Sequence, residues 1–391
     1  CVFYPSYIFN SRFITPDIPL TLFTFLAIYF AIKFISEEKL KFLGYSAFLS
    51  AMSTCEKYSG LLTASVVIIA LILRYHLDKD TSHAIRIKNF FIDSLKMLGV
   101  FFLGILIFGY NLYTGIPWVI EGFRYEIMPG SAGADGLSYT GNLLFYVREF
   151  IKQTNPLILA MISVGIFAIC QNKEKRFSLF LVSLVYWLSL SVFAIHFERW
   201  SLPMMILPLF VAAYGFDHIA SLMEGYRVSK MLFVAISVIG LGYFIVSGLA
   251  EAVRWAWPDT RGIALSYLNN EGIKEEESVY EGYSPFHPQK WKNFHDMDRE
   301  TILDGKKYII MSDHMHSPFF NEPERYADVI EYYDFLRSSS TLIKTFVPDR
   351  EYKTFPQRVN KIWAYTKWAL GGFGETDITT GPIIEIYEIN K

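Results

Sequence analysis

Eight apolar runs fill the first 250 residues, at roughly 14–36, 42–56, 59–75, 95–113, 157–170, 179–197, 201–223 and 231–250. Several reach the ~20 residues that carry a helix across ~30 Å of hydrocarbon. The pattern predicts eight membrane crossings, of which 42–56 and 157–170 are short and need tilt or close neighbours. Beyond residue 250 the pattern changes to short apolar stretches separated by charge. Asp259 and Thr260 suit a helix cap before Ile263–Leu268, and Tyr326–Arg337 suits an amphipathic helix. Ser278–Tyr283, Tyr308–Met311, Leu342–Phe346 and Ile383–Ile389 suit strands, the last alternating Ile384, Ile386 and Ile389 imperfectly with Glu385, Tyr387 and Glu388. The predicted architecture is an α-helical polytopic membrane bundle over 1–250, followed by a small soluble α/β domain over 251–391.

Composition supports that division. Of 391 residues, 52% are hydrophobic and 19% charged, which excludes a disordered chain and argues against an ordinary soluble enzyme. Residues 1–250 hold 19 Lys and Arg against 15 Asp and Glu, whereas 251–391 hold 17 against 23. Neither part has the basic excess that phosphate contacts along a nucleic acid require, so no nucleic-acid partner is expected. Cys1, Cys55 and Cys170 have no paired spacing, which predicts neither a disulfide framework nor a cysteine metal site. The chain opens at Cys1 without a signal-peptide pattern, and reads as an internal fragment of a longer protein.

Basic residues set the predicted orientation, because short cytoplasmic loops retain Lys and Arg. Alternate turns around Lys33, Lys39, Arg74, Lys79, Arg86, Lys173, Arg176 and Arg227 are rich in them, and the turns between are poor. Asp17, Lys57, the loop 114–156, Arg199 and all of 251–391 then share the outer face. That loop carries Gly130, Gly133, Gly136 and Gly141, followed by an amphipathic run from Leu143 to Ile151. A mobile centre between interfacial helices is expected. The glycines lack the spacing of a phosphate loop after a strand.

Charges at span ends are informative, since an ionisable group in hydrocarbon costs several kcal/mol and usually faces a cavity or a partner. Asp17 lies between two prolines at the head of a span, with Arg12 upstream, and can serve as an N-cap, as a functional carboxylate, or as both. Lys57, followed by Tyr58, lies between two spans and can pair with Glu56, snorkel, or bind phosphate. Glu198 and Arg199 sit beside Trp200 between two long spans, where they can form a surface ion pair or grip a phosphate diester through the guanidinium fork. Glu121, Arg124 and Glu126 suit an interfacial anchor. Asp313-His314-Met315-His316 follows a strand and reads as a loop more readily than as a ligand set. Arg12, Lys57 and Arg199 beside carboxylates at one membrane edge suit an anionic lipid headgroup. A lipid-linked phosphosugar fits, with its tail between helices, its phosphate on the cations and its sugar in water.

At these residues the chain resembles the GT-C fold of polytopic glycosyltransferases, in particular the family 39 group of protein O-mannosyltransferases and lipid A aminoarabinose transferases. The resemblance rests on Arg12 with Asp17 in RFITPDIPL, on Lys57 in STCEKYSGLL and on Arg199 in FERWSLPMMILPLFVAAYGF, and covers roughly residues 10–250. It implies transfer of a sugar from a polyprenyl- or dolichyl-phosphate donor to a lipid, glycan or protein acceptor on the outer face of a membrane. It implies that Lys57, Arg199 and Arg12 bind the donor phosphate, with Asp17, Glu198 and Tyr58 in support. The family's catalytic acidic residue lies on a first outer loop, which the resemblance places upstream of Cys1, with Asp17 the other candidate base. No cofactor is required by two cations facing a phosphate leaving group, although a divalent ion is compatible with the fold. A multi-pass protein of a prokaryotic plasma membrane with an extracytoplasmic C-terminal domain is the corresponding localisation. A transporter or flippase would instead show mid-span charges or two related halves, and a non-catalytic scaffold would leave the clustered cations unexplained.

Overall fold

The computed structural model describes residues 16–77, 82–127, 139–172, 179, 181–193, 198–288, 294, 297–299, 301–320, 323–324, 326–350 and 353–390. The chain separates into two compact units that divide at Gly248 and Leu249.

The first unit is helical. Its helices are α1 (Asp17–Glu37), α2 (Leu40–Glu56), α3 (Ser65–Leu77), α4 (His83–Phe108), α5 (Tyr110–Thr114), α6 (Ile116–Ile127), α7 (Tyr139–Gln153), α8 (Pro156–Asn172), α9 (Leu181–Leu190), α10 (Leu202–Leu222) and α11 (Arg227–Arg254). Short 3-10 turns at Tyr58–Ala64 and Glu198–Ser201 lead into α3 and α10. Among the described residues five helical segments are long and apolar enough to cross a membrane: Asp17–Glu37, Tyr58–Tyr75, His83–Phe108, Arg199–Leu222 and Arg227–Arg254. A sixth candidate is the pair Leu143–Gln153 and Pro156–Gln171, bent by 118°. The bend has a local cause, because Pro156 begins a new helix and the Asn155 carboxamide accepts from Ile158 N at 2.9 Å. The run at 42–56 becomes the 17-residue α2, and the run at 179–197 supplies only the ten residues of α9.

With lipid tails as apolar as leucine, helices associate through close packing and hydrogen bonds rather than through expulsion from water. Gly165 of α8 lies against the Val211 carbonyl of α10, and Gly215 of α10 against the Met161 carbonyl, so close that an added Cβ would sit 2.1 Å from either oxygen. Pro208 inside α10 cannot donate to the Met204 carbonyl one turn earlier, and Ser183 of α9 donates to that oxygen instead at 2.7 Å. Four hydroxyls from separate segments meet in the interior. Thr63 Oγ1 lies 2.7 Å from Tyr186 Oη, 2.8 Å from Thr24 Oγ1 and 3.0 Å from Ser53 Oγ. All four residues are fully buried, so they answer one another's polarity where no water can.

The second unit is built on a four-stranded sheet of order β1 (Ser278–Tyr280), β2 (Tyr308–Ser312), β4 (Ile384–Ile389), β3 (Ser340–Phe346). β1 and β2 are parallel and the other pairs antiparallel. Alternation along β2 sends Ile309 and Met311 into one core with Val279, Tyr333 and Leu336, and Ile310 into another with Ala264, Leu268, Ile384 and Ile386. Helix α12 (Thr260–Asn270) covers the second face, and α13 (Asp313–Phe320) and α14 (Ala327–Ser338) the first. The Asp259 carboxylate caps α12 by accepting from Arg261 N at 2.8 Å, the role its position predicts. Ile389 packs on the face opposite Ile384 and Ile386, because an odd spacing reverses a side chain in a strand. Asp313 to His316 begin α13 rather than a loop. Helix α15 (Phe355–Leu370), started by a reciprocal Thr354–Gln357 capping box, is absent from the sequence prediction.

Candidate functional site

Asp17 is the first residue of α1. Pro16 occupies the N-cap position, so the carboxylate is not the cap. Its side chain is instead buried, 2% exposed, and faces two cations. Lys57 Nζ lies 3.1 Å from Oδ1 and Arg199 Nε 3.6 Å from Oδ2. Lys57 thus bridges to a carboxylate forty residues away in sequence rather than to its neighbour Glu56.

Local backbone chemistry delivers each partner. Lys57 is a single extended residue, φ −157° and ψ 142°, between the end of α2 and the 3-10 turn Tyr58–Ala64. The break is kept tight by Gly60, whose N–H donates to the Lys57 carbonyl at 2.8 Å and whose Cα packs on the Ser53 carbonyl where a Cβ would come to 2.0 Å. Thr63, on the same turn, is the centre of the hydroxyl cluster. Arg199 and Trp200 come from the 3-10 turn that opens α10, and Lys57 Nζ stands 4.7 Å from the Trp200 ring centroid. Trp200 is wedged edge-on against Phe193 at 5.7 Å.

The result is one carboxylate between a lysine and an arginine. Exposure rises from Asp17 through Lys57, 14%, to Arg199, 39%. The carboxylate lies inside and the guanidinium is the most exposed of the three. Such a pair of cations beside a buried acid has the chemistry to bind an anion. Tyr58 is half-buried at the head of the 3-10 turn next to Lys57. Glu198 opens the turn that carries Arg199, but its side chain, like Arg12, lies outside the described residues. So do Gly130, Gly133 and Gly136. Glu121 and Arg124 belong to α6, and the flanks of the long loop are helical as α6 and α7. Among the described residues no three of His, Cys, Asp and Glu gather to hold a metal ion.

A second buried carboxylate escaped the sequence reading. Glu281, fully buried one residue beyond β1, accepts from Ser312 N at 2.5 Å and from Tyr333 Oη at 2.7 Å. His316 Nδ1 lies 3.3 Å from the same carboxylate, and Arg337 stands 3.3 Å from His316 Nε2. Burial pushes the Glu281 carboxyl above its ordinary range, opposed by these donors. His314, by contrast, stacks edge-on to Tyr283 at 4.5 Å and is pushed down by burial. The available signal was an acid directly after a strand end, in Tyr280-Glu281-Gly282, where open sheets place functional or network residues.

No curated protein and no solved structure matches the chain. A family model described as dolichyl-phosphate-mannose-protein mannosyltransferase matches residues 1–128, the stretch that holds Asp17 and Lys57, while Arg199 lies beyond it. Over those 128 residues this multi-pass membrane protein is similar to the PMT family, whose description names a lipid-phosphate sugar donor.

Proposed function

We propose that the protein transfers mannose or a related sugar from a dolichyl or other polyprenyl phosphate to an acceptor hydroxyl on the outer face of its membrane. The observation that carries this reading is the convergence of Lys57 and Arg199 on Asp17 at the end of a membrane helix. The family description favours a protein acceptor, with a lipid or glycan as the alternatives. The distribution of Lys and Arg among the loops favours an outward site and an extracytoplasmic C-terminal unit, and three cysteines without paired spacing beside a compact C-terminal unit favour a prokaryotic plasma membrane.

In the reaction the acceptor oxygen bonds to the anomeric carbon as the carbon–oxygen bond to phosphate breaks. The acceptor proton passes to a base, and the lipid phosphate leaves with the bonding electron pair. Negative charge grows on that phosphate, and Lys57 and Arg199 are placed to meet it. Asp17 serves as a positioning residue. Its two oxygens already face the two cations, and its burial keeps it from the acceptor. Interactions that strengthen as the bond breaks raise turnover rather than donor affinity.

The test is radiolabelled sugar transfer from polyprenyl-phosphate donors by the protein in membranes, with Lys57→Ala and Arg199→Ala alongside. Transfer that falls in both variants supports the assignment. Undiminished transfer in both removes the two cations from the mechanism, and flux of a free solute without transfer would make the protein a transporter.

A further inference from the structure

Helix α15 presents the wrong face to water. At ~100° per residue, Phe355, Val359, Trp363 and Leu370 fall within an arc of ~80°. This arc is the solvent side: Trp363 is 59% exposed and Leu370 84%, and Phe355, Val359 and the following Phe373 are exposed as well. The opposite side of the helix faces its own unit. Tyr365 and Trp368 pack on Trp257 at 5.5 and 4.9 Å, and Lys361 pairs with Asp349. A surface helix normally buries its apolar stripe and shows its polar one, so an exposed apolar stripe of this size marks an interaction surface.

Three features select the occupant. The segment from Lys353 to Gly374 contains Lys353, Arg358, Lys361 and Lys367 and no Asp or Glu, inside a region whose acids otherwise outnumber its bases. The exposed stripe combines Trp and Phe with Leu and is flanked by cations, and Lys367 Nζ stands 5.2 Å from the Trp363 ring. That is the composition of a helix lying in a headgroup layer. Finally, α11 is long and apolar enough to cross a membrane and runs to Arg254, so chain connectivity alone keeps the second unit at a bilayer surface, at high effective concentration.

We propose that α15 is a monotopic membrane anchor, with Phe355, Val359, Trp363, Leu370 and Phe373 inserted among the lipids of an anionic bilayer surface and the neighbouring Lys and Arg at headgroup level. The anchor is independent of the proposed transfer reaction.

The test places the full chain in nanodiscs of phosphatidylcholine with phosphatidylglycerol. In a background lacking Cys1, Cys55 and Cys170, nitroxides are attached at Val359→Cys, Leu370→Cys and, as a reference on exposed surface, Ser338→Cys. Collision rates with oxygen and with a water-soluble nickel chelate are then compared. The expected result is a several-fold bias toward oxygen at 359 and 370 and toward nickel at 338. The double substitution Trp363→Glu and Phe355→Glu should reverse the bias at 370 while leaving thermal unfolding of the second unit in place, because both side chains are exposed. Equal nickel access at all three positions overturns the proposal. So does shielding from both reagents at 359 and 370, which would mean that a protein surface, a second copy included, covers the stripe.

Discussion

Among the described residues each unit fully buries one carboxylate, and the two are satisfied in opposite ways. Asp17 is held by a lysine and an arginine, the second of them partly exposed. Glu281 is held by a backbone N–H, a phenol and an imidazole, with its one guanidinium behind the imidazole. A charge-paired acid at the mouth of a bundle leaves a cationic surface for a ligand. An acid ringed by groups of its own fold spends its hydrogen-bonding capacity there, tying β1, β2, α13 and α14 together. The proposed function makes the first a binding site and leaves the second a structural knot, even though both residues are hidden.

The comparison can be broken at either end. The largest effect is expected at the first carboxylate's partners: Lys57→Ala or Arg199→Ala should lower sugar transfer about 100-fold, the scale for removing one group that stabilises transition-state charge. The same substitutions should leave the unfolding of the second unit unchanged, which calorimetry checks. Next is Glu281→Ala, which strands the Ser312 N–H and the Tyr333 hydroxyl in a buried place and should destabilise the second unit by about 3 kcal/mol. The first unit should keep its melting behaviour.

A smaller effect is expected from Tyr186→Phe. It removes one member of the hydroxyl cluster, but Thr63 keeps Thr24 and Ser53, so the loss should be about 1 kcal/mol in thermal unfolding of the first unit. The smallest is a pH dependence. Burial holds the folded Glu281 carboxyl above its ordinary value of 4.5, so the folded state keeps its proton longer than the unfolded chain does. Its contribution is therefore complete below pH 4.5 and declines as pH rises through the folded value. Glu281→Gln does not titrate, and the stability of the natural protein relative to it should fall as pH is raised from 4. A gap that stays flat or widens with pH would show that the carboxyl is not raised.

Much of this was legible in the sequence. Every apolar run in the first 250 residues contributes helix, and Asp259, β2, α14 and β4 stand close to where capping and alternation put them. Asp17, Lys57 and Arg199 were found by asking where charge meets hydrocarbon, but their mutual contact was not readable, because it joins residues separated by 40 and 182 positions. The nearest sequence partner, Glu56, was the wrong one for Lys57. Glu281 was hidden for the same reason: its donors come from Ser312, His316 and Tyr333, and nothing local announces burial. Helix α15 was missed because its apolar positions face outward. The bend between α7 and α8 depends on Asn155 and Pro156, whose effect on direction a hydropathy pattern does not carry.

The most direct measurement is steady-state transfer by Lys57→Gln, which keeps a polar side chain one atom shorter and removes the charge, with kcat and donor KM determined separately. The account predicts a kcat about 100-fold lower with donor KM within a few-fold of the natural protein, the signature of a contact that matters as the phosphate departs. An unchanged kcat with a raised KM would make Lys57 a docking contact only, and unchanged values of both would contradict the assignment of this cation to the donor phosphate.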